Sequence, residues 1–127
     1  MDRTLLVVDD SKLARMVVAG ILGRVQPGWQ LVEAGNAQEA LEIVRQGRVE
    51  IVLVDFNMPD VDGLSLIASI RETHPDIPMA VVSANAQDTI IARARALDAA
   101  FIEKPLKDDA LKAFLSGAAL RLKRASK

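Results

Sequence analysis

The chain has no cysteine, no tyrosine and a single histidine, His74, in 127 residues. Without thiols, disulfides, thiolate zinc sites, iron–sulfur clusters and cysteine nucleophiles are all excluded. One imidazole excludes a multi-histidine metal site within a single chain. An excess of either charge is also missing: sixteen Lys and Arg oppose seventeen Asp and Glu, for a net charge of −1. That balance argues against a dedicated nucleic-acid binder. The opening MDRTLLVVDD is neither a signal peptide nor a membrane span, and no later run approaches the roughly 18 apolar residues of one. A protein of the reducing cytoplasm, bound to neither nucleic acid nor membrane, is the expectation.

What is present fits one domain, residues 1–127, since domains cluster at roughly 100–150 residues. Half of the residues are hydrophobic and 26% are charged, a composition able to bury a core without staples. Five short aliphatic runs recur: Thr4 to Val8, Gln30 to Glu33, Ile51 to Val54, Met79 to Val82, and Phe101 with Ile102. The first, third and fourth are continuous apolar blocks, the pattern of strands buried on both faces of a parallel sheet. The second is weaker and the fifth very short, as edge or near-edge strands are.

Helical spacing fills the gaps. Ser11 caps a helix with apolar Leu13, Met16, Val17, Ile21 and Leu22, stopped by Pro27-Gly28. Asn36 caps a second with Ala37, Ala40, Leu41 and Val44 inward. A third starts at Gly63 or Leu64 and runs past Ile70. A fourth spans Gln87 to Leu97, and a last one starts near Lys107 and carries Leu111, Phe114, Leu115 and Ala118 toward Lys123. Strands alternating with helices imply an α/β fold, a doubly wound parallel sheet with right-handed crossovers. Such sheets bind ligands beyond the carboxyl ends of their strands.

Chemistry collects at those ends. Run one is followed by Asp9-Asp10, run three by Asp55, run four by Ser83, and run five leads to Lys104-Pro105. Each feature alone is ordinary, a helix cap or a loop; their coincidence at strand ends points to a site. Three carboxylates at close quarters raise one another's pKa unless a divalent cation joins them. With no histidine or cysteine ligands available, oxygen donors suit Mg²⁺, with Mn²⁺ as the alternative. Carboxylate, cation, ammonium and hydroxyl together accommodate a phosphoryl group, which makes Asp55 a candidate carboxylate nucleophile. Neither G-x-x-x-x-G-K-[ST] nor G-x-G-x-x-G occurs, so the usual nucleotide cradles are missing. The stretch Asp60-Val61-Asp62-Gly63 reads as a turn and not as a calcium loop, because Met58 and Ser69 would fill its first and last ligand positions.

These residues resemble a known family. LLVVDDS, VLVDFNMPDVDG, VVSA and FIEKPL, in that order, are similar to the marks of the receiver domain of two-component response regulators, in the single-domain form of chemotaxis regulators. The likeness runs from about Leu5 to Leu120. It implies a flavodoxin-like five-stranded sheet in the order 2-1-3-4-5 with five helices. It also implies that Asp55 accepts a phosphoryl group from a histidine kinase or phosphotransfer protein. Asp10, Asp55 and the backbone carbonyl of Asn57 would hold Mg²⁺, with Asp9 acting mainly through water. Lys104 would pair with the phosphoryl oxygens, Ser83 would turn toward one of them, and Phe101 would swing inward. The Lys104-Pro105 bond would be cis. Phe101 stands where tyrosine is more usual, and Asp98 where glycine is frequent.

The functional expectation is therefore a phosphorylation-activated switch acting through contact with a downstream protein, as a monomer by default. A phosphate sink for a kinase is the alternative. A small aspartate-nucleophile phosphatase fits less well, because Asn57 replaces the second aspartate that would act as general acid. Neutral Asn57 and Asn85, two residues past Asp55 and Ser83, could orient an attacking water without taking its proton, an arrangement that implies an intermediate phosphoryl lifetime.

Overall fold

A computed structural model describes residues 3–125. Five strands and five helices alternate: β1 Thr4–Val8, α1 Lys12–Val25, β2 Gln30–Ala34, α2 Ala37–Arg45, β3 Ile51–Asp55, α3 Gly63–Thr73, β4 Met79–Ser83, α4 Asp88–Ala96, β5 Ala100–Glu103 and α5 Asp108–Ala125. All strand pairs are parallel, in the order β2-β1-β3-β4-β5. The weak second run and the short fifth run are the two edges, as their composition suggests.

Alternate residues of each central strand serve opposite faces, as the two-residue period of a strand requires. Leu6, Val8, Val52, Val54 and Val81 pack beneath α2, α3 and α4, against Ala40, Ile67, Ile70 and Ala94. Leu5, Val7, Leu53 and Val82 pack on the other face under α1 and α5, against Val18, Ile21, Leu111 and Leu115. Strands covered on both faces have no room for polar side chains until they leave the sheet. Polarity therefore returns abruptly at their carboxyl ends, at Asp9, Asp55 and Ser83.

Caps set the helix starts. Ser11, Asn36 and Asp62 each accept a hydrogen bond from the backbone N–H three residues on, at 3.2, 2.8 and 2.8 Å, fixing α1, α2 and α3. Gln87 precedes α4 without a side-chain cap, whereas the spacing predicts a helix that already includes it. The inner faces also differ from the expected ones. On α1, Ile21 and Leu22 are buried as expected, but Leu13, Met16 and Val17 are 70%, 59% and 48% exposed and Val18 is buried in their place. Leu41 of α2 likewise faces outward. An apolar repeat defines a stripe wider than the one a two-layer contact buries, so its edges remain in solvent. Among the described residues, no helix is long and apolar enough to cross a membrane.

Candidate functional site

The switch point of the strand order lies between β1 and β3, where α1 departs to one side and the later crossovers to the other. Asp9 and Asp55 emerge there from adjacent strands. Carboxylate oxygens of Asp9, Asp10 and Asp55 all lie within 4.8 Å of one another. Asp9 and Asp55 are buried, and Asp10 faces solvent. Burial is the main reason the Asp9 carboxyl titrates above its ordinary range; the charges of Asp55 and then Asp10 push it further up. The N–H of Ser11, which donates to Asp9 Oδ1 at 2.9 Å, and the ammonium of Lys104 act the other way.

Lys104 reaches in from the loop after β5, with its Nζ 2.6 Å from Asp55 Oδ1. The Lys104 ammonium is the close partner of this buried Oδ1, which accepts no further hydrogen bond among the described residues. A buried carboxylate oxygen whose close partner is an ammonium keeps lone-pair capacity for a further partner. With two further carboxylates beside it and only oxygen donors present, the set fits a hard divalent cation. Behind it lies a cavity of about 200 Å³ in which Ala14, Val17, Val18 and Leu106 meet Asp9, Asp55 and Lys104. Its apolar wall weakens screening on one side of the charges.

Ser83 is 1% exposed, and its hydroxyl is engaged within its own loop: Oγ accepts from the Asn85 N–H at 3.0 Å and donates to the Asn85 carbonyl at 3.4 Å. Its carbonyl accepts from the Lys104 N–H at 3.0 Å, tying the β4 loop to the β5 loop. Phe101 is half-buried and lines a groove of about 660 Å³ between α4 and α5 and another of about 640 Å³ along β5 and α5. Asn57 and Asn85 are exposed at the rim. The Lys104–Pro105 peptide is cis.

Three features escaped the sequence reading. Gly63 reads there as a residue that permits a bend, but its role is clearance: a Cβ on it would lie 2.3 Å from the Asp55 carbonyl oxygen. Arg15 grips the Asp9 carbonyl from α1. Arg71 binds backbone carbonyls of the loops before β4 and β5. Only Arg15 left a trace in the sequence, as a cation in the opening turns of a helix, where the helix dipole disfavours it.

Residues 5–116 match the response regulator receiver domain family, and the chain belongs to it. It thus stands among the phosphorylation-operated signalling switches of two-component systems. It is 40% identical over 106 residues to the sensor kinase CckA of Brucella abortus, covering 80% of this chain and 11% of that protein. It is 34% identical over 113 residues to the DNA-binding transcriptional regulator NtrC of Azospirillum brasilense, covering 89% of this chain and 23% of that one. The first curated relatives are much longer proteins, of which the chain spans about a tenth, 9–13%. In fold it is similar to a CheY-like receiver domain protein of Methanospirillum hungatei, with a TM-score of 0.87 at 22% identity, covering 98% of this chain and 99% of that one. It is similar also to CheY4 of Vibrio cholerae, with a TM-score of 0.83 at 22% identity, covering 93% and 99%.

Proposed function

We propose that Asp55 is the phosphoryl acceptor of this switch and that its donor is a phosphohistidine on a histidine kinase or phosphotransfer protein. A carboxylate oxygen of Asp55 forms a bond to phosphorus as the phosphorus–nitrogen bond breaks. The imidazole nitrogen keeps the electron pair and takes up a proton. Asp9, Asp10, Asp55 and the backbone carbonyl of Asn57 are the groups that would hold Mg²⁺, or Mn²⁺ in its place. A bound cation supplies charge neutralisation for the phosphoryl oxygens. The observation that carries this reading is the buried Asp55 Oδ1, paired with Lys104 at 2.6 Å inside a trio of carboxylates.

Lys104 is 38% exposed, so its flexible stem lets the ammonium follow negative charge from the carboxylate to a phosphoryl oxygen. Phosphorylation adds nearly two negative charges and three acceptors. To donate to one of them, the Ser83 hydroxyl leaves Asn85 and frees the β4–α4 loop, and Phe101 moves inward beside it. Two loop arrangements with different contacts to the phosphoryl group give a population shift. The readout is contact with a downstream protein, with the domain as a monomer in the cytoplasm, and with neither nucleic acid nor membrane as a partner. A structural neighbour from Borrelia burgdorferi, a CheX-CheY-BeF3-Mg complex with a TM-score of 0.82 at 23% identity, supports both cation and protein partner. Service as a phosphate sink would use the same chemistry without the readout. No catalysis beyond self-phosphorylation and slow self-dephosphorylation is proposed, since Asn57 cannot serve as the general acid of a phosphatase.

Incubation with acetyl phosphate and Mg²⁺ tests the proposal. One phosphoryl adduct by intact mass is expected, absent in Asp55→Asn. An adduct that survives Asp55→Asn, or none in the wild type, overturns it.

A further inference from the structure

Arg15 sits one turn into α1, near the positive end of the helix dipole, in a helix with no acidic residue in its first turn. A cation there is disfavoured unless something compensates. Its side chain is only 17% exposed. Nε donates to Glu33 Oε1 at 2.8 Å, and Nη1 donates to the backbone carbonyl of Asp9 at 2.6 Å. Glu33 lies on β2 directly opposite Val7 of β1, so the guanidinium spans from the edge strand to the β1–α1 loop.

Asp9 is therefore held on every side. Its N–H donates to the Ala34 carbonyl at 3.1 Å, and its Oδ1 accepts from Ser11 at 2.9 Å. Asp10 differs: its carboxylate makes no hydrogen bond or ion pair among the described residues, and it faces solvent. The position of Asp10 thus depends on its backbone. Because a peptide unit is planar, fixing the direction of the Asp9 carbonyl fixes the adjoining N–H and Cα of Asp10.

We infer that Arg15 is a positioning residue for the divalent-cation site, orienting the Asp9–Asp10 peptide and through it the Asp10 carboxylate, with Glu33 holding the guanidinium in place. The inference rests on the reading of the acidic trio as a cation site. The alternative role for Arg15, a counter-charge to the trio, makes the opposite prediction. A counter-charge competes with a bound cation, so its removal would tighten binding; loss of a positioning contact weakens it. The guanidinium bonds the Asp9 backbone carbonyl and the Glu33 carboxylate, and none of its hydrogen bonds or ion pairs goes to a carboxylate of the trio. Arg15 acts on the backbone.

Titration of the metal-free protein with Mn²⁺, following the free-ion signal by electron paramagnetic resonance, separates the two. Arg15→Met is expected to weaken Mn²⁺ binding about tenfold, the scale on which outer partners of metal ligands act. Arg15→Lys should not restore it, since one ammonium cannot replace a fork that engages two acceptors. Glu33→Gln, which keeps shape and an acceptor, should weaken binding to a smaller degree and serves as the test if Arg15→Met does not fold. Unchanged or tighter binding in Arg15→Met, or in Glu33→Gln if that variant carries the test, overturns the positioning role. Absence of Mn²⁺ binding by the wild type would instead overturn the cation site itself.

Discussion

The α carbon of Gly63 rests against the main chain of Asp55 so closely that a Cβ would stand 2.3 Å from the Asp55 carbonyl oxygen and 3.0 Å from the carbonyl carbon and the Phe56 Cα. The Gly63 N–H donates to the Phe56 carbonyl at 2.8 Å, closing the loop that begins at Asp55. The obstructing atoms are backbone, which cannot swing aside as a side chain can. Gly63→Ala should cost about 1–3 kcal/mol in stability, the scale of overpacking, and should displace the end of β3. Slower labelling of Asp55 by acetyl phosphate is expected in whatever fraction folds. Thermal melting with labelling kinetics checks both, and wild-type values in each would remove the clearance argument.

Arg71 ties two loops together without a carboxylate partner. From α3 its guanidinium donates to the carbonyls of Ile77 at 2.6 Å, Pro75 at 3.0 Å, Leu97 at 3.0 Å and Asp98 at 3.0 Å. Asp98 takes a left-handed φ of 56°, and its carboxylate pairs with Arg121 on α5 at 2.9 Å. Glycine would adopt that φ freely; here Arg71 and Arg121 hold an aspartate in it. Arg71→Met leaves several carbonyls without their donor, at a cost of about 3 kcal/mol given that hydrogen bonds to charged groups contribute about 1.5–3 kcal/mol each and do not add fully. Hydrogen exchange should accelerate in residues 96–100 before it does in β1 or β3. Uniform acceleration would argue against a local knot.

The sequence displayed the parts of the fold whose cause is local. Continuous apolar runs marked β1, β3 and β4 because burial on both faces admits nothing else, and Ser11 and Asn36 marked helix starts because a cap bonds within its own turn. Asp9, Asp55 and Ser83 were legible for the same reason, as polar residues at the places where buried strands end, and Lys104 as the cation before Pro105 at the end of the edge strand β5. The Arg15 grip on Asp9, the Arg71 knot and the contact of Gly63 with Asp55 depend on which segments meet in space, and spacing along the chain does not encode that. The outward turn of Leu13, Met16 and Val17 was illegible too. The width of a buried stripe is set by the neighbouring helix, here α5, and not by α1 itself.

Asp9 carries the site's electrostatic conflict into the stability of the fold. Two carboxylates within 4.8 Å of it repel it by about 1–3 kcal/mol each between the screening of water and that of a protein surface. Burial and repulsion raise its folded-state pKa above the unfolded value near 3.8. The folded state therefore holds more protons than the unfolded one just above that pH, and this group's contribution is lost as pH rises through the raised value. In EDTA, Asp9→Asn should melt a few degrees higher than wild type at neutral pH. The advantage should shrink as pH falls toward 4. Saturating Mg²⁺ should narrow or reverse it at neutral pH, because the cation stabilises the wild-type trio by mass action. A constant difference across pH and metal conditions would mean that the carboxylate is not under strain.

On the proposal that Asp55 carries the phosphoryl group, its lifetime is set by how readily water reaches the phosphorus in line with the Asp55 oxygen. Asn57 and Asn85 flank the rim of the site and are exposed, and each amide can orient a water but cannot accept its proton. Asn85 has a further tie, since its backbone is bonded to Ser83, so movement of Ser83 toward a phosphoryl group would carry the amide with it. Removing one orienting hydrogen bond is worth about 0.5–1.5 kcal/mol, which corresponds to a decay slower by about two- to twelvefold. Asn85→Val is expected to show that slowing while labelling normally at Asp55, whereas Asn57→Glu should alter the decay by placing a charge beside the same path. Decay of the purified phosphorylated protein, followed by intact mass, is the measurement. Identical decay in both variants would leave water delivery to groups deeper in the site and remove the role assigned to the two amides.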